Sequence, residues 1–319
     1  MTAPDQTHGQ ASDGSIRAGS KSFALASRLF APPTRVLVWD LYTWCRHCDD
    51  VVDGQVSGQG HDPHVDRAAR VADLRQGTDA AFAGQAGAAG PFAALQRVVR
   101  ATDLPVAFTR DHLDGFAMDA AARHYDTFAD TLDYCYHVAG VVGLMMGWVM
   151  GVRDAPTLRR ACDLGIAFQL TNIARDVGDD AAAGRIYLPA RWLDHAQVRL
   201  GPDEPLDDRT AAGLARVVSR LLDEADAYYR SARYGVPRLP WRSAWAVATA
   251  SHVYGDIGVE VRRRGAHAWR ERVVTGTPAK VARALQAAFE ATWATTAGTM
   301  APAPARHGLF TPPALVMRG

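Results

Sequence analysis

In Asn172–Tyr187 (NIARDVGDDAAAGRIY), Asn172, Asp176 and Asp180 recur every fourth residue, a spacing that puts all three on one face of a helix. Far upstream, Asp40–Asp53 (DLYTWCRHCDDVVD) carries Asp49 and Asp53, again four apart. Arg46 accompanies the first set, and Arg175 and Arg185 the second. Two carboxylate faces flanked by arginine suit a cleft that holds divalent cations and diphosphate. Mg²⁺ takes oxygen ligands, uses few carboxylates and completes its shell with water and phosphate. Solvated helices also carry acids at this spacing. Here, however, Val51 and Val52 lie within the first set, and Phe168, Leu170 and Ile173 precede the second. Carboxylates in helices this apolar repel one another and lose hydration unless cations lie between them. The cleft is the better reading.

The elements that must position these residues read as all-α. The 319-residue chain is rich in Ala, Leu, Val and Arg, with long helical periodicity and no alternating strands punctuated by hairpin turns. The spacing predicts helices over Ser15–Phe30, Thr34–Asp53, Val65–Phe82, Pro91–Ala101, Pro105–Ala122, Phe128–Val152, Pro156–Asp180, Asp207–Tyr234, Trp241–Arg264 and Pro278–Ala297. Ala31-Pro32-Pro33 breaks the first from the second. Prolines 91, 105, 156 and 278 suit first-turn positions, where no amide donor is needed. No linker divides the middle of the chain, and both acid motifs must share one cleft. The expected layout is a polar, disordered tail over residues 1–14, one domain over 15–298, and an irregular, proline-bearing tail over 299–319.

A net charge of +1 and the lack of a basic stripe interleaved with aromatics argue against nucleic acid as a partner. Cys45 and Cys48 form a CxxC, but no second pair completes a zinc site, and both fall within the first acidic helix. With Cys135 and Cys162 they read as reduced thiols of a cytoplasmic enzyme. His47 sits off the acidic face. Val138–Val152 is apolar but too short to span a bilayer, which needs about 20 residues. Gly140, Gly143, Gly147 and Gly151 repeat within it, as close helix packing or a bare groove for an apolar tail would require.

At GSKSF (Gly19–Phe23), LYTWCRHCDDVVDG (Leu41–Gly54), YCYHVAGVVGLMMGWVMGV (Tyr134–Val152) and FQLTNIARDVGDDAAAGRIYLP (Phe168–Pro189), the chain resembles the squalene and phytoene synthase family, whose members join two prenyl diphosphates head to head. The likeness runs from about Ser15 to Arg264, with the four segments in family order. VGLMM and the apolar run to MGV are similar to the bacterial phytoene synthase branch.

The resemblance implies the isoprenoid synthase fold, helices surrounding a deep central cavity. It implies that Asp49, Asp53, Asp176, Asp180 and Asn172 hold several Mg²⁺ ions, or Mn²⁺ in their place. Ser20, Lys21, Arg46, Gln169, Asn172, Arg175, Arg185 and Tyr254 would meet diphosphate, and Tyr134 and Arg46 would take part in catalysis. Lys21 is one of only two lysines in the chain. The implied substrate is geranylgeranyl diphosphate, two molecules of which condense through prephytoene diphosphate to 15-cis-phytoene in carotenoid biosynthesis.

C15-specific dehydrosqualene or squalene synthases are the nearest alternative. Head-to-tail elongases and terpene cyclases share the metal geometry but not GSKSF or RIYLP. A non-catalytic helical binding protein would not need all four aspartates. No strand–GxGxxG–helix unit suggests a nicotinamide site, and no NADPH requirement is expected. The glycine-rich Gly54–His64 and the segment Ala181–Tyr187 are expected to close over bound diphosphate, with Arg185 reaching phosphate. Peripheral contact of a cytoplasmic protein with the membrane follows from the lipid-soluble substrate tails.

Overall fold

The computed structural model describes residues 25–54, 66–274, 276–296 and 303–316, and every regular element among them is helical. The first long helix, α1 (Pro32–Asp53), starts at its two prolines and stops at Gly54, whose φ of 64° puts it in the left-handed region that favours glycine. Of the helix expected over Ser15–Phe30, residues 15–24 lie outside the described set, and only 25–27 are helical within it. Residues 1–14 and 55–64 also lie outside. Then follow α2 (Arg67–Phe82), α3 (Pro91–Thr102) and α4 (Val106–Ala120). Pro105 is the residue before the first turn of α4, not within it.

The helix expected over Phe128–Val152 is in fact three pieces. These are α5 (Phe128–Cys135), a π-helical turn at Tyr136–Gly140, and α6 (Val141–Val149). The turn lies where the chain is pressed between α4 and α7 (Ala155–Ala182). A Cβ on Gly115 of α4 would lie 3.1 Å from the His137 carbonyl carbon, and one on Gly165 of α7 would lie 2.1 Å from the Ala139 oxygen. Gly140, Gly143 and Gly147 all face α7, and a Cβ on Gly143 would meet the Ala161 oxygen at 2.2 Å. Close packing therefore accounts for these glycines. Gly151 belongs instead to the following turn, with φ +93°.

α8 (Ala190–Ala196) was not anticipated, because seven residues are too few for a periodic pattern. α9 (Asp208–Ala232), α10 (Trp241–Arg264), α11 (Thr277–Thr296) and the single turn α12 (Pro313–Val316) complete the chain. α7 is the central helix, packed against α5, α6, α9 and α10, and its buried residues include Cys162, Ile166, Leu170, Ile173 and Val177. α1 packs against α2, α3, α4 and α6, burying Leu41, Trp44, Cys48 and Val52. Each large apolar side chain so buried contributes about 1.5–3 kcal/mol, enough to fix the rotation of both acidic helices. Residues 303–316 dock on this body. Arg306 pairs with fully buried Asp163 at 2.5 Å, and Phe310 stacks on Tyr136 at 5.2 Å. No helix among the described residues is long and apolar enough to cross a membrane.

Candidate active site: two acidic helix ends over an apolar cavity

α1 and α7 bring their C-terminal halves to the mouth of a cavity of about 460 Å³. α7 lines it from Thr157 to Asn172, a stretch of about 22 Å at 1.5 Å per residue. Arg46, Asp49, Asp119, Gln169 and Asn172 form its polar end. Below them the walls are mostly apolar and aromatic, with Phe116, Tyr134 and Phe168 among them, and at the far end Met150, Val236 and Leu239 are joined by Thr157 and Arg160. Tyr254 stacks on Phe168 with ring centroids 4.4 Å apart.

Asp53 stands one turn beyond Asp49, and Asp176 and Asp180 stand one and two turns beyond Asn172. Arg185 joins the two sets across the mouth. Its Nη1 donates to Asp53 Oδ1 at 3.0 Å, and its charge acts on Asp49, Asp119 and Asp180. Arg46 binds Asp49 at 3.0 Å and Asp50 at 2.7 Å. Asp176 is held by its neighbour Arg175, whose Nε donates at 2.8 Å, and from outside by Arg272 at 3.2 Å.

Burial raises the carboxyl of Asp49 to about 6, against the pull of Arg46 and with the push of Asp53. Burial and the neighbouring Asp176 raise Asp180 to about 7. Asp119 is raised to about 6 by burial, although the hydroxyls of Tyr187 and Tyr134 donate to its two oxygens at 3.1 and 3.2 Å. Those two tyrosines stack at 4.5 Å. The site thus concentrates acids, and burial holds three of them, Asp49, Asp119 and Asp180, above the usual carboxylate range.

Among the described residues no three His, Cys, Asp or Glu side chains converge to hold a metal ion by themselves. The donors of the two helix ends nonetheless fit a cation shared with phosphate, since Mg²⁺ typically uses one or two carboxylates and fills its shell from substrate and water. Asn172 supplies a second sign. Its Nδ2 faces Gln169 Oε1 at 3.4 Å, whereas its buried Oδ1 has no partner. A buried carbonyl oxygen without a donor suits a ligand that brings positive charge.

A family model described as squalene/phytoene synthase matches residues 16–279. The chain belongs to the squalene/phytoene synthase family. Within this family it is 52% identical over 275 residues to a 15-cis-phytoene synthase of Pantoea ananas, covering 86% of this chain and 88% of that one. It is 50% identical over 266 residues to a 15-cis-phytoene synthase of a Paracoccus species, covering 83% and 86%. Among solved structures of the family, a dehydrosqualene synthase in complex with ligand superposes with a TM-score of 0.78 at 26% identity, covering 90% of this chain and 97% of that one. The all-α isoprenoid synthase fold is the one expected from the sequence.

Of the residues singled out in the sequence, Arg46, Asp49, Tyr134, Gln169, Asn172 and Tyr254 line the squalene/phytoene synthase cavity itself. Asp53, Asp176, Asp180, Arg175 and Arg185 gather at its mouth, Asp53 paired with Arg185, Asp176 with Arg175, and Asp180 within reach of the charges of Asp176 and Arg185. Ser20 and Lys21 lie outside the described residues, as does all of the Gly54–His64 loop except Gly54.

Sequence reasoning missed Asp119, Tyr187, Arg272 and His112. Tyr187 lies within RIYLP and was available there. Asp119 follows HLDGFAM without any acidic partner at helical spacing, and Arg272 meets Asp176 from 96 residues away. His112 lines the cavity with its ring wholly buried, and burial lowers its imidazole to about 4. Its Nδ1 lies 3.1 Å from the His137 carbonyl, and its Nε2 has no partner. It is a neutral wall residue at ordinary pH.

Proposed function

We propose that the protein is a 15-cis-phytoene synthase, a prenyltransferase that condenses two geranylgeranyl diphosphates head to head. One observation carries the reading. A chain half-identical to 15-cis-phytoene synthases over most of its length unites two acidic helix ends above a long apolar cavity. Asp49, Asp53, Asn172, Asp176 and Asp180 would hold Mg²⁺ or Mn²⁺, several ions in all. Bound there, such cations neutralise the charge that develops on departing diphosphate.

Arg46, Arg175 and Arg185 orient the diphosphate, with Gln169, Tyr254 and, by resemblance, Ser20 and Lys21. The aromatic faces of Tyr42, Tyr134, Phe116 and Phe168 offer π density to the allylic cation left behind. The apolar walls keep water from it. Attack by the double bond of the second substrate, with loss of diphosphate and a proton, gives prephytoene diphosphate. Ionisation of that ester, rearrangement and a second proton loss give phytoene. Released diphosphate can accept the protons. Asp119, pinned by Tyr134 and Tyr187, holds the polar rim in place beside Arg185.

No hydride donor enters this sequence, and NADPH is not required. The protein works in the cytoplasm with peripheral contact to the membrane that stores its substrate and product.

The test is product formation. Purified protein with Mg²⁺ and geranylgeranyl diphosphate should yield phytoene, recognised by its conjugated triene absorbance, with or without NADPH. Formation of lycopersene when NADPH is added would overturn the branch. Turnover of farnesyl diphosphate alone would make the enzyme a C15 synthase.

A further inference from the structure

α11 is built inside out. Of its three charged residues, Lys280 is half-buried, and Arg283 and Glu290 reach across to α10, where Arg283 pairs with Asp256 at 2.6 Å and Glu290 accepts from His252 at 2.8 Å. Its large apolar residues turn outward. Val281, Leu285, Phe289 and Trp293 follow one another at intervals of four and form a single stripe, with exposures of 49%, 68%, 70% and 66%. The other exposed residues described on this helix, Thr277, Pro278, Ala279, Ala282, Gln286 and Thr292, are uncharged, and Arg283 and Glu290, each bonded to Gln286, flank the stripe at partial exposure. An ordinary surface helix shows the opposite arrangement. Isolated exposed apolar residues need no explanation, but a continuous stripe marks a surface meant to be covered.

The surroundings indicate what covers it. Near the C-terminal end of the stripe, Trp241 donates to Thr292 at 3.2 Å, and Tyr234 is also exposed. Exposed Arg233, Arg238 and Arg242 lie in the same stretch of chain, and the charge of Arg233 is felt by Glu290. An apolar stripe flanked by ion-paired Arg283 and Glu290 and ending in tryptophan, tyrosine and arginine matches the layers of a bilayer leaflet, hydrocarbon first and then anionic headgroup.

The position also fits. One face of α10 lines the cavity through Ala246, Val247 and Ala250, while α11 packs along the same helix. The turn holding Val236, at the far end of the cavity, packs against α11 as well. A single helix therefore separates the stripe from the space assigned to the prenyl chains.

We infer that the outward face of α11 is the membrane-docking surface of this enzyme, seated on an anionic lipid leaflet beside the end of the cavity remote from the acidic mouth. The inference rests on the reading of the cavity as a site for long prenyl chains, and it names the surface that brings that site to the lipid.

The test uses the full chain and vesicles of phosphatidylglycerol and phosphatidylethanolamine. The wild type should co-sediment with them, more weakly with phosphatidylcholine alone, and the double variant Leu285→Glu/Phe289→Glu should bind at least tenfold less. Both residues are solvent-exposed, so circular dichroism and Tm should stay unchanged. Phytoene formation from detergent-dispersed substrate should also be unchanged in the variant. A wild type that stays in the supernatant at every lipid concentration would overturn the proposal. So would a variant that sediments as well as the wild type, since contact would then lie elsewhere. Light scattering that showed a wild-type dimer dissolved by the variant would assign the stripe to a second copy instead. Failure of the product assay with vesicle binding intact would fall on the enzymatic reading and not on the surface.

Discussion

Asp49, Asp119 and Asp180 share one physical situation: each is buried near other acids, and each has its carboxyl raised into the range of about 6 to 7. Asp176 differs in being clasped by Arg175 and Arg272. Its place one turn above Asn172 makes it the most direct test of the site. Asp176→Asn should lower kcat by roughly 10²–10³ with the fold intact, the scale expected when one fixed electrostatic contact to a leaving group is lost. Near-normal turnover at saturating Mg²⁺ would remove it from the machinery.

His112 makes a prediction about stability. The groups acting on it are the His137 carbonyl, which favours its charged form, and the His137 ring, which disfavours it. Its pKa is depressed from 6.5 to about 4 in the folded chain, so between those values the unfolded state binds the extra proton. Stability should fall as pH drops from about 6.5 to 4, by up to roughly 3 kcal/mol from this residue. Denaturant titrations of His112→Gln should show a shallower slope over that window. An identical slope would mean that the ring is hydrated.

At the scale of elements, spacing in the chain located the helices well because α1 and α9 each bury a long periodic face. It missed the π turn at Tyr136–Gly140 because that turn reflects two backbones in contact, and neither backbone carries a periodic signal. The consequence is measurable. Gly165→Ala would put a methyl group 2.1 Å from the Ala139 oxygen, where only a shift of α7 can relieve it. Overpacking of this kind costs about 1–3 kcal/mol, or a Tm lowered by roughly 2–12 °C. Gly255→Ala on α10 meets no atom within 4 Å and should leave Tm equal or slightly higher. A Gly165→Ala protein as stable as wild type would show that the π turn and α7 are farther apart than described.

For the molecule as a whole, the C-terminal segment is part of the body even though its sequence reads as an irregular tail. Asp163 is fully buried and is held by both Arg306 and Ser231. Arg160, at the cavity wall, donates to Ser231 and to the Pro304 carbonyl, each at 2.5 Å. Arg306→Ala should therefore strand a buried charge at a cost of about 3–5 kcal/mol. Thermal melts should show a Tm lower by roughly 10 °C. Adding Asp163→Asn to that variant should recover most of the loss, because the charge itself is gone. A negligible effect of Arg306→Ala would mean that water reaches Asp163.

The sequence by itself determined the helical class, the two acidic helices, the arginines beside them and the family whose motifs they match. Those are local properties. Side-chain spacing at the helical repeat and short motifs survive in a linear string because each is set by residues a few positions apart. Only the tertiary structure decided that Arg185 bridges to Asp53, that Asp119 and Arg272 join the acids, and that Asn172 keeps a buried oxygen without a hydrogen-bond partner. It alone decided which way α11 faces. That helix shows a large apolar residue every fourth position, and the string alone reads such a face as core. Burial depends on what else reaches the same space, and here α10 takes the charged side and leaves the apolar one to the outside.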